Sequence, residues 1–186
     1  MENTQTKWAV DPQHSKLQFK VKHLAIANVA GTFKIFSGEV ETDNDDFDGA
    51  SIAFEIDANS LNTDHEIRDG HLRSNLFLDI EKFPKITFKG SLHKKTEGYE
   101  VAGDLTIRDV KNSVKLSAEF NGIGKDNAFK NTRAGFEASG KINRKDFGIT
   151  FGMLTESGGL VVGEEVKLSF DIELIKLPIN TVPVSQ

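Results

Sequence analysis

Apolar residues recur at every second position along most of this chain, and no other feature constrains its fold as strongly. Leu17, Phe19, Val21 and His23 alternate with Lys16, Gln18, Lys20 and Lys22. Ile52, Phe54 and Ile56 alternate with Ser51, Ala53, Glu55 and Asp57, and Ile86 and Phe88 stand among Lys85, Thr87 and Lys89. The rhythm returns in Tyr99–Ile107, Val114–Phe120, Phe136–Ile142 and Val166–Leu174. A period of two gives a strand one apolar and one wet face, whereas an amphipathic helix repeats at about 3.6 residues. Reading the stretch around Gly31–Val40 as one further strand gives about eight half-buried strands, the pattern of an antiparallel sheet. Clusters at Asp43–Asp46, Thr96–Gly98, Asp109–Asn112 and Gly122–Asn127 supply hairpin turns. Such strands must close into a barrel or pack as a sandwich, because open edges template aggregation.

One segment breaks the rhythm. Thr63-Asp64-His65-Glu66 reads as a capping box, with Thr63 as N-cap and Glu66 reaching back. Ile67, His71 and Leu72 then recur at helical spacing, which predicts a short helix near residues 64–73, inserted between two strands. A helix in a β-barrel lids or plugs one end.

The chain has 186 residues, enough for one domain that needs no disulfide or metal to fold. It has no Cys, which excludes thiol nucleophiles, zinc fingers and iron–sulfur clusters. A net charge of −5 argues against nucleic-acid binding, which wants a clustered basic excess. Fourteen Phe against a single Tyr99 and a single Trp8 point to a greasy core or a greasy cavity. No run approaches the ~18 apolar residues of a membrane span. Residues 1–7 carry no signal-peptide pattern, so the chain as written reads as cytoplasmic, or as periplasmic if a leader was removed. Residues 1–6 read as an N-terminal extension, 7–177 as the domain and 178–186 as a tail.

Motifs for chemistry are weak. Asn44, Asp46, Asp48, Gly49 and Glu55 fit a calcium-loop template apart from Asn in first place, but a strand follows where a helix is needed. An acidic hairpin loop is the plainer reading. His65, Glu66, His71, Asp64 and Asp69 could suggest zinc, yet two His six apart do not share a helix face. No nucleophile elbow, dinucleotide fingerprint or P-loop is present. Gly90, Gly103, Ala118, Ala138 and Gly140 fall on the apolar faces in mid-strand, leaving room for bulky neighbours or for a ligand. Alternation also points His23 inward, where desolvation would oppose its protonation. It could be a core His or a polar contact to a ligand head.

A longer constellation is more specific. Trp8-x-Val10-Asp11-Pro12-x-His14-Ser15 is followed by Phe19-x-Val21-x-His23-Leu24, Gly31-x-Phe33 and Ser60-x-x-Thr63. Then come Arg68-Asp69-x-His71-Leu72-Arg73-Ser74, Phe83-Pro84-x-Ile86-x-Phe88, Gly103–Arg108, Asn143-Arg144-x-Asp146-Phe147-Gly148 and Val162-Gly163-x-Glu165-Val166. In this the chain resembles the YceI family of lipocalin-like, polyisoprenoid-binding proteins over about residues 7–175. The resemblance implies an all-β fold, an eight-stranded antiparallel lipocalin-like barrel holding a long apolar chain. It implies non-enzymatic binding, storage or transport of a prenyl quinone or prenyl pyrophosphate, with no cofactor and no metal. The alternative is a lipid-modifying or stress-related enzyme using His71 or His14 as acid/base.

Combining the resemblance with alternation, the expected cavity lining is Leu17, Phe19, Val21, His23, Phe33, Ile52, Phe54, Phe88, Val101, Leu105, Leu116, Phe136, Ile142, Leu168 and Phe170. Arg68, His71 and Arg144 are candidates for headgroup contacts, because guanidinium forks suit phosphate and carbonyl oxygens. An Arg–Asp ion pair pinning the helix to the barrel, drawing on Asp69 or Asp146, is the structural alternative. Expected partners are a long-chain lipid and, transiently, a membrane surface, with no nucleic acid and no transmembrane segment; a homodimer stays open.

Overall fold

The computed structural model describes residues 5–159 and 161–178. Most of the N-terminal extension and all but the start of the C-terminal tail lie outside them. The alternating segments form strands: β1 (Thr6–Val10), β2 (Lys16–His23), β3 (Ala27–Phe33), β4 (Phe36–Thr42), β5 (Ser51–Asp57) and the short β6 (Leu61–Asn62). After helix α1 (Glu66–Arg73) come β7 (Lys85–Lys94), β8 (Tyr99–Ile107), β9 (Val110–Asp126), β10 (Asn131–Asn143) and β11 (Val162–Lys176). A closed antiparallel barrel of eight strands runs β1-β4-β5-β7-β8-β9-β10-β11 and back to β1.

The barrel closes fully only at one end. Strand β11 is long enough to pair with β1 through Leu174–Lys176 and with β2 through Val162–Asp171. Strands β1 and β2 therefore act as two halves of one bent strand. Beyond the bend, β2 carries β3 and β6 as a flap, while β4 rejoins the barrel by pairing with β1 and β5. The stretch around Gly31–Val40 is thus two strands rather than one, broken at Lys34–Ile35, where Ser60 Oγ accepts from both backbone N–H groups.

A polar cluster fixes the bend. The Asp11 carboxylate accepts from Arg133 at 2.7 Å and sits 2.7 Å from His14 Nδ1, and Arg133 also bonds Glu173. Burial by itself pushes the Asp11 carboxyl up, but hydrogen bonds from Arg133 and His14 outweigh it and hold the group at about 2.

The interior divides into two apolar clusters. One gathers Trp8, Val10, Phe36, Val40, Phe47, Leu92 and Leu174 at the closed end. The other gathers Ala58, Phe77, Ile86, Ile107, Phe147 and Ile149 toward the helix. The small residues serve two purposes. A side chain at Gly38 would meet Phe54 at 2.6 Å, one at Gly103 would meet Phe88 at 2.8 Å, and the space at Gly140 is taken by Leu116. Bulky neighbours fill these places. Ala118 and Ala138 instead face open cavity.

Candidate functional site

Two adjoining chambers occupy the barrel. The inner one, about 140 Å³, is lined wholly by apolar side chains. The outer one, about 490 Å³, reaches the helix end. They share Leu17, Ile56, Leu105, Leu168 and Phe170 as common walls. The combined lining follows β11 from Val162 to Leu174, roughly 40 Å of extended strand, or about 30 Å along the axis of a barrel with ordinary strand tilt.

Every residue expected from alternation lies on these walls. Ile52, Phe54, Phe88, Val101, Leu116 and Phe136 line the inner chamber. Phe19, Val21, His23, Phe33 and Ile142 line the outer one, while Leu17, Leu105, Leu168 and Phe170 line both. His23 departs from the expectation in one respect: it is exposed at the rim rather than desolvated among Leu17, Phe19 and Val21. Strand β2 ends there, so the ring lies where the wall meets water.

Arg68, His71 and Arg144 converge on the outer chamber. Helix α1 brings the first two. Its N-cap is His65, which accepts from the Arg68 N–H, and not the expected Thr63. Thr63 is instead drawn inward: its backbone N–H donates to the buried Asp69 carboxylate at 3.0 Å. Its Oγ1 and carbonyl accept from Arg68 at 2.8 Å each. Arg73 donates to the carbonyls of Asn59 and Leu61. The helix is thus pinned by Thr63 and by main-chain oxygens, not by an Arg–Asp pair.

Arg144 is the least expected member. Only 4% exposed, it begins the 3₁₀ turn Arg144–Phe147 and has no carboxylate within ion-pair distance among the described residues. It donates to three carbonyls instead: Ile149 at 2.7 Å, Gly163 at 2.8 Å and Val162 at 3.2 Å. Burial lowers its pKa from the usual value, opposed by the field of Glu164. A guanidinium carries five N–H donors, so these three bonds leave two uncommitted among the described residues in a side chain that lines the outer chamber. Asp146, the other ion-pair candidate, is exposed, and its carbonyl accepts from Asn112.

The remaining polar motifs are absorbed structurally. In the acidic loop, Asp46 accepts from the Asp48 N–H and from Lys94, which hold its carboxyl below the usual range. Asp48 accepts from the Lys94 N–H, and Glu55 pairs with Lys85 on the outer sheet face. These oxygens do not converge on a calcium cage. The loop's function is carried by the residue between them: Phe47, fully buried, enters the barrel against Trp8, Phe120 and Phe136 with ring centroids 5.0–5.3 Å apart. An aromatic inside Asp45-Asp46-Phe47-Asp48 was the signal for this plug. His14 is held at the β1–β2 bend and lines neither chamber, which removes it as an acid/base acting on a ligand there. A Ser91–His93 contact of 2.7 Å is likewise outside both chambers.

Residues 8–174 match the YceI-like domain. A UPF0312 protein of Staphylococcus epidermidis is 38% identical over 168 residues, covering 90% of this chain and 96% of its own. The crystal structure of a Campylobacter jejuni YceI protein superposes with a TM-score of 0.71 at 29% identity, covering 86% of this chain and 91% of that one. A polyisoprenoid-binding domain from Saccharophagus degradans, implicated in plant cell wall breakdown, shares the fold at 17% identity and a TM-score of 0.69, over 91% of this chain and 98% of that one. With a closed eight-stranded barrel, an apolar interior and these likenesses together, the chain belongs to the YceI family.

Proposed function

We propose that this protein binds a long-chain isoprenoid-type lipid, tail in the inner chamber and polar head in the outer one, without altering it chemically. One observation carries the reading: an apolar interior that widens toward a chamber lined by the cations Lys22, Arg68 and Arg144 beside His23 and His71, with no carboxylate among its lining residues. Each buried CH2 contributes at most ~0.8 kcal/mol, so a chain filling both chambers has ample driving force. The spare Arg144 donors, with Arg68 and His71 beyond, suit the oxygens of a quinone or pyrophosphate. The outer chamber lies within the ~300–1,000 Å³ typical of ligand sites. Membership of the YceI family supports the lipid class; the Saccharophagus likeness supports only the fold that offers such a cavity.

Native mass spectrometry of the full chain, purified without detergent and then offered a prenyl quinone or a prenyl pyrophosphate, tests this. A stoichiometric mass gain is expected. Ala138→Trp places an indole in the inner chamber and should abolish uptake while circular dichroism stays native. Unchanged uptake in that folded variant would move the tail elsewhere. Recovery of a chemically altered lipid would favour the enzyme reading, with His71 as the acid/base at the mouth.

A further inference from the structure

We propose that the open end of the barrel is a docking face for the surface of an anionic phospholipid bilayer. The proposal takes its purpose from the lipid-carrier reading, but its observations are separate. The segments that supply the outer chamber's rim carry exposed large apolar side chains: Leu24, Ile26, Ile67, Leu76, Met153 and Leu154. They come from three segments, namely the β2–β3 turn, α1 with the residues that follow it, and the loop before β11. Leu76 and Met153 themselves line the outer chamber. The Leu24 N–H donates to the Val161 carbonyl and the Val161 N–H to the Met153 carbonyl, both at 2.9 Å, so the loop and the hairpin tip form one continuous rim.

The tip is costly to present to water. Leu24 and Ala25 have φ of 52° and 60°, a left-handed pair inside the turn that the Ile26 N–H closes on the His23 carbonyl, where Asn-Gly is the ordinary choice. Neither side chain eases that conformation, and Ile26 beside them is 83% exposed. Strain and exposed apolar surface are retained together where a surface has work to do.

Charge selects the occupant. The chain is net acidic at −5 with His neutral, yet the outer chamber has no carboxylate among its lining residues and three cations, Lys22, Arg68 and Arg144. The nearby carboxylates are turned or held away: Asp69 bonds Thr63 and Glu164 pairs with Lys145. Asp64, Glu66 and Glu156 remain exposed on the flanks. Apolar tips ringing a basic opening match a bilayer interface, where burial of apolar side chains combines with attraction to anionic heads. A protein partner seated on this rim would stopper the cavity. The bilayer leaves a route for the lipid between membrane and barrel.

The test is co-sedimentation of the full chain with vesicles of phosphatidylcholine plus phosphatidylglycerol, and with phosphatidylcholine alone. Ile26→Ser, Ile67→Ser and Leu154→Ser are combined in one variant, since all three are more than two-thirds exposed and none lines a chamber. Wild type should bind the anionic vesicles and bind phosphatidylcholine more weakly. The triple variant should lose roughly tenfold or more of that partitioning. Phe129→Ser, 75% exposed on the β9–β10 hairpin, should bind as wild type. Prenyl quinone uptake without vesicles should be equal in all three proteins, which separates docking from cargo. The proposal is overturned if wild type does not sediment, if it sediments equally with both vesicles, if the triple variant matches it, or if only Phe129→Ser loses binding. Loss of quinone uptake by the triple variant would assign those residues to the cavity and overturn it too.

Discussion

The closed and open ends of the barrel are made by the same alternating strands and finished in opposite ways. At the closed end the 43–50 loop turns its single large apolar residue inward, and Phe47 meets Trp8, Phe120 and Phe136. Its φ of 59° is strained for an aromatic residue, a cost offset by complete burial. At the open end the turns leave Leu24, Ile26, Met153 and Leu154 exposed, and the buried Arg144 guanidinium there is held by carbonyls. Apolar packing fills one end, while a hydrogen-bonded guanidinium lines the cavity at the other.

The strongest way to break that contrast is to remove the plug. Phe47→Ala should cost about 3–5 kcal/mol, from lost transfer energy and the cavity left among three aromatic rings. A urea melt gives the value. If stability hardly changes, the closed end does not depend on this side chain.

Next in size is Arg144→Ala. It strands the carbonyls of Ile149, Val162 and Gly163, for an expected loss of about 3 kcal/mol. Hydrogen exchange should show the loss concentrated in residues 149–163. Arg144→Lys keeps the charge without the fork and should recover only part of it. A variant that melts normally but fails to bind lipid would make Arg144 a ligand contact and not a strut of the open end.

A smaller effect comes from the bend between the two ends. Asp11 sits at about 2 in the folded protein against about 3.9 in an unfolded chain. The unfolded state therefore binds the proton first as pH falls. The contribution is complete above about pH 4 and is lost as pH falls toward 2, worth about 2 kcal/mol. Unfolding free energies measured across that window should decline for wild type, with a shallower slope for Asp11→Asn.

The smallest change is a gain. Replacing Leu24-Ala25 by Asn-Gly relieves two left-handed residues and should stabilise the hairpin by about 1 kcal/mol. Thermal melting checks it. No gain would mean that the apolar tip is stabilised by contacts with the loop before β11, and the open end would then be tighter than its exposure suggests.

Much of the cavity was legible because strand alternation is a local property. Once Phe54 and Leu168 lie on an apolar face of a closed sheet, they have nowhere to point but inward. The helix was legible to within two residues for the same reason. Its cap was not: Thr63 has a cap's chemistry, but Asp69 and Arg68 compete for it, and their reach depends on where β6 docks against β3. Phe47 was hidden because its neighbours made the loop look like a charged surface.

What the sequence determined by itself was therefore largely periodic and near-neighbour: strands with an apolar face, a short helix between them, a net acidic and Cys-free composition that argues against nucleic-acid binding and thiol chemistry, and a motif order that resembles one family. Tertiary structure alone decided what depends on residues far apart in the chain. Arg133 on β10 reaches past β11 to hold Asp11 and Arg144 spans to Val162 and Gly163, while the stretch around Gly31–Val40 breaks so that its halves join different neighbours. The physical reason is that alternation is set by backbone geometry within each strand, whereas the partner of a buried charge and the point where a sheet splits follow from closure. Closure is a property of all the strands at once.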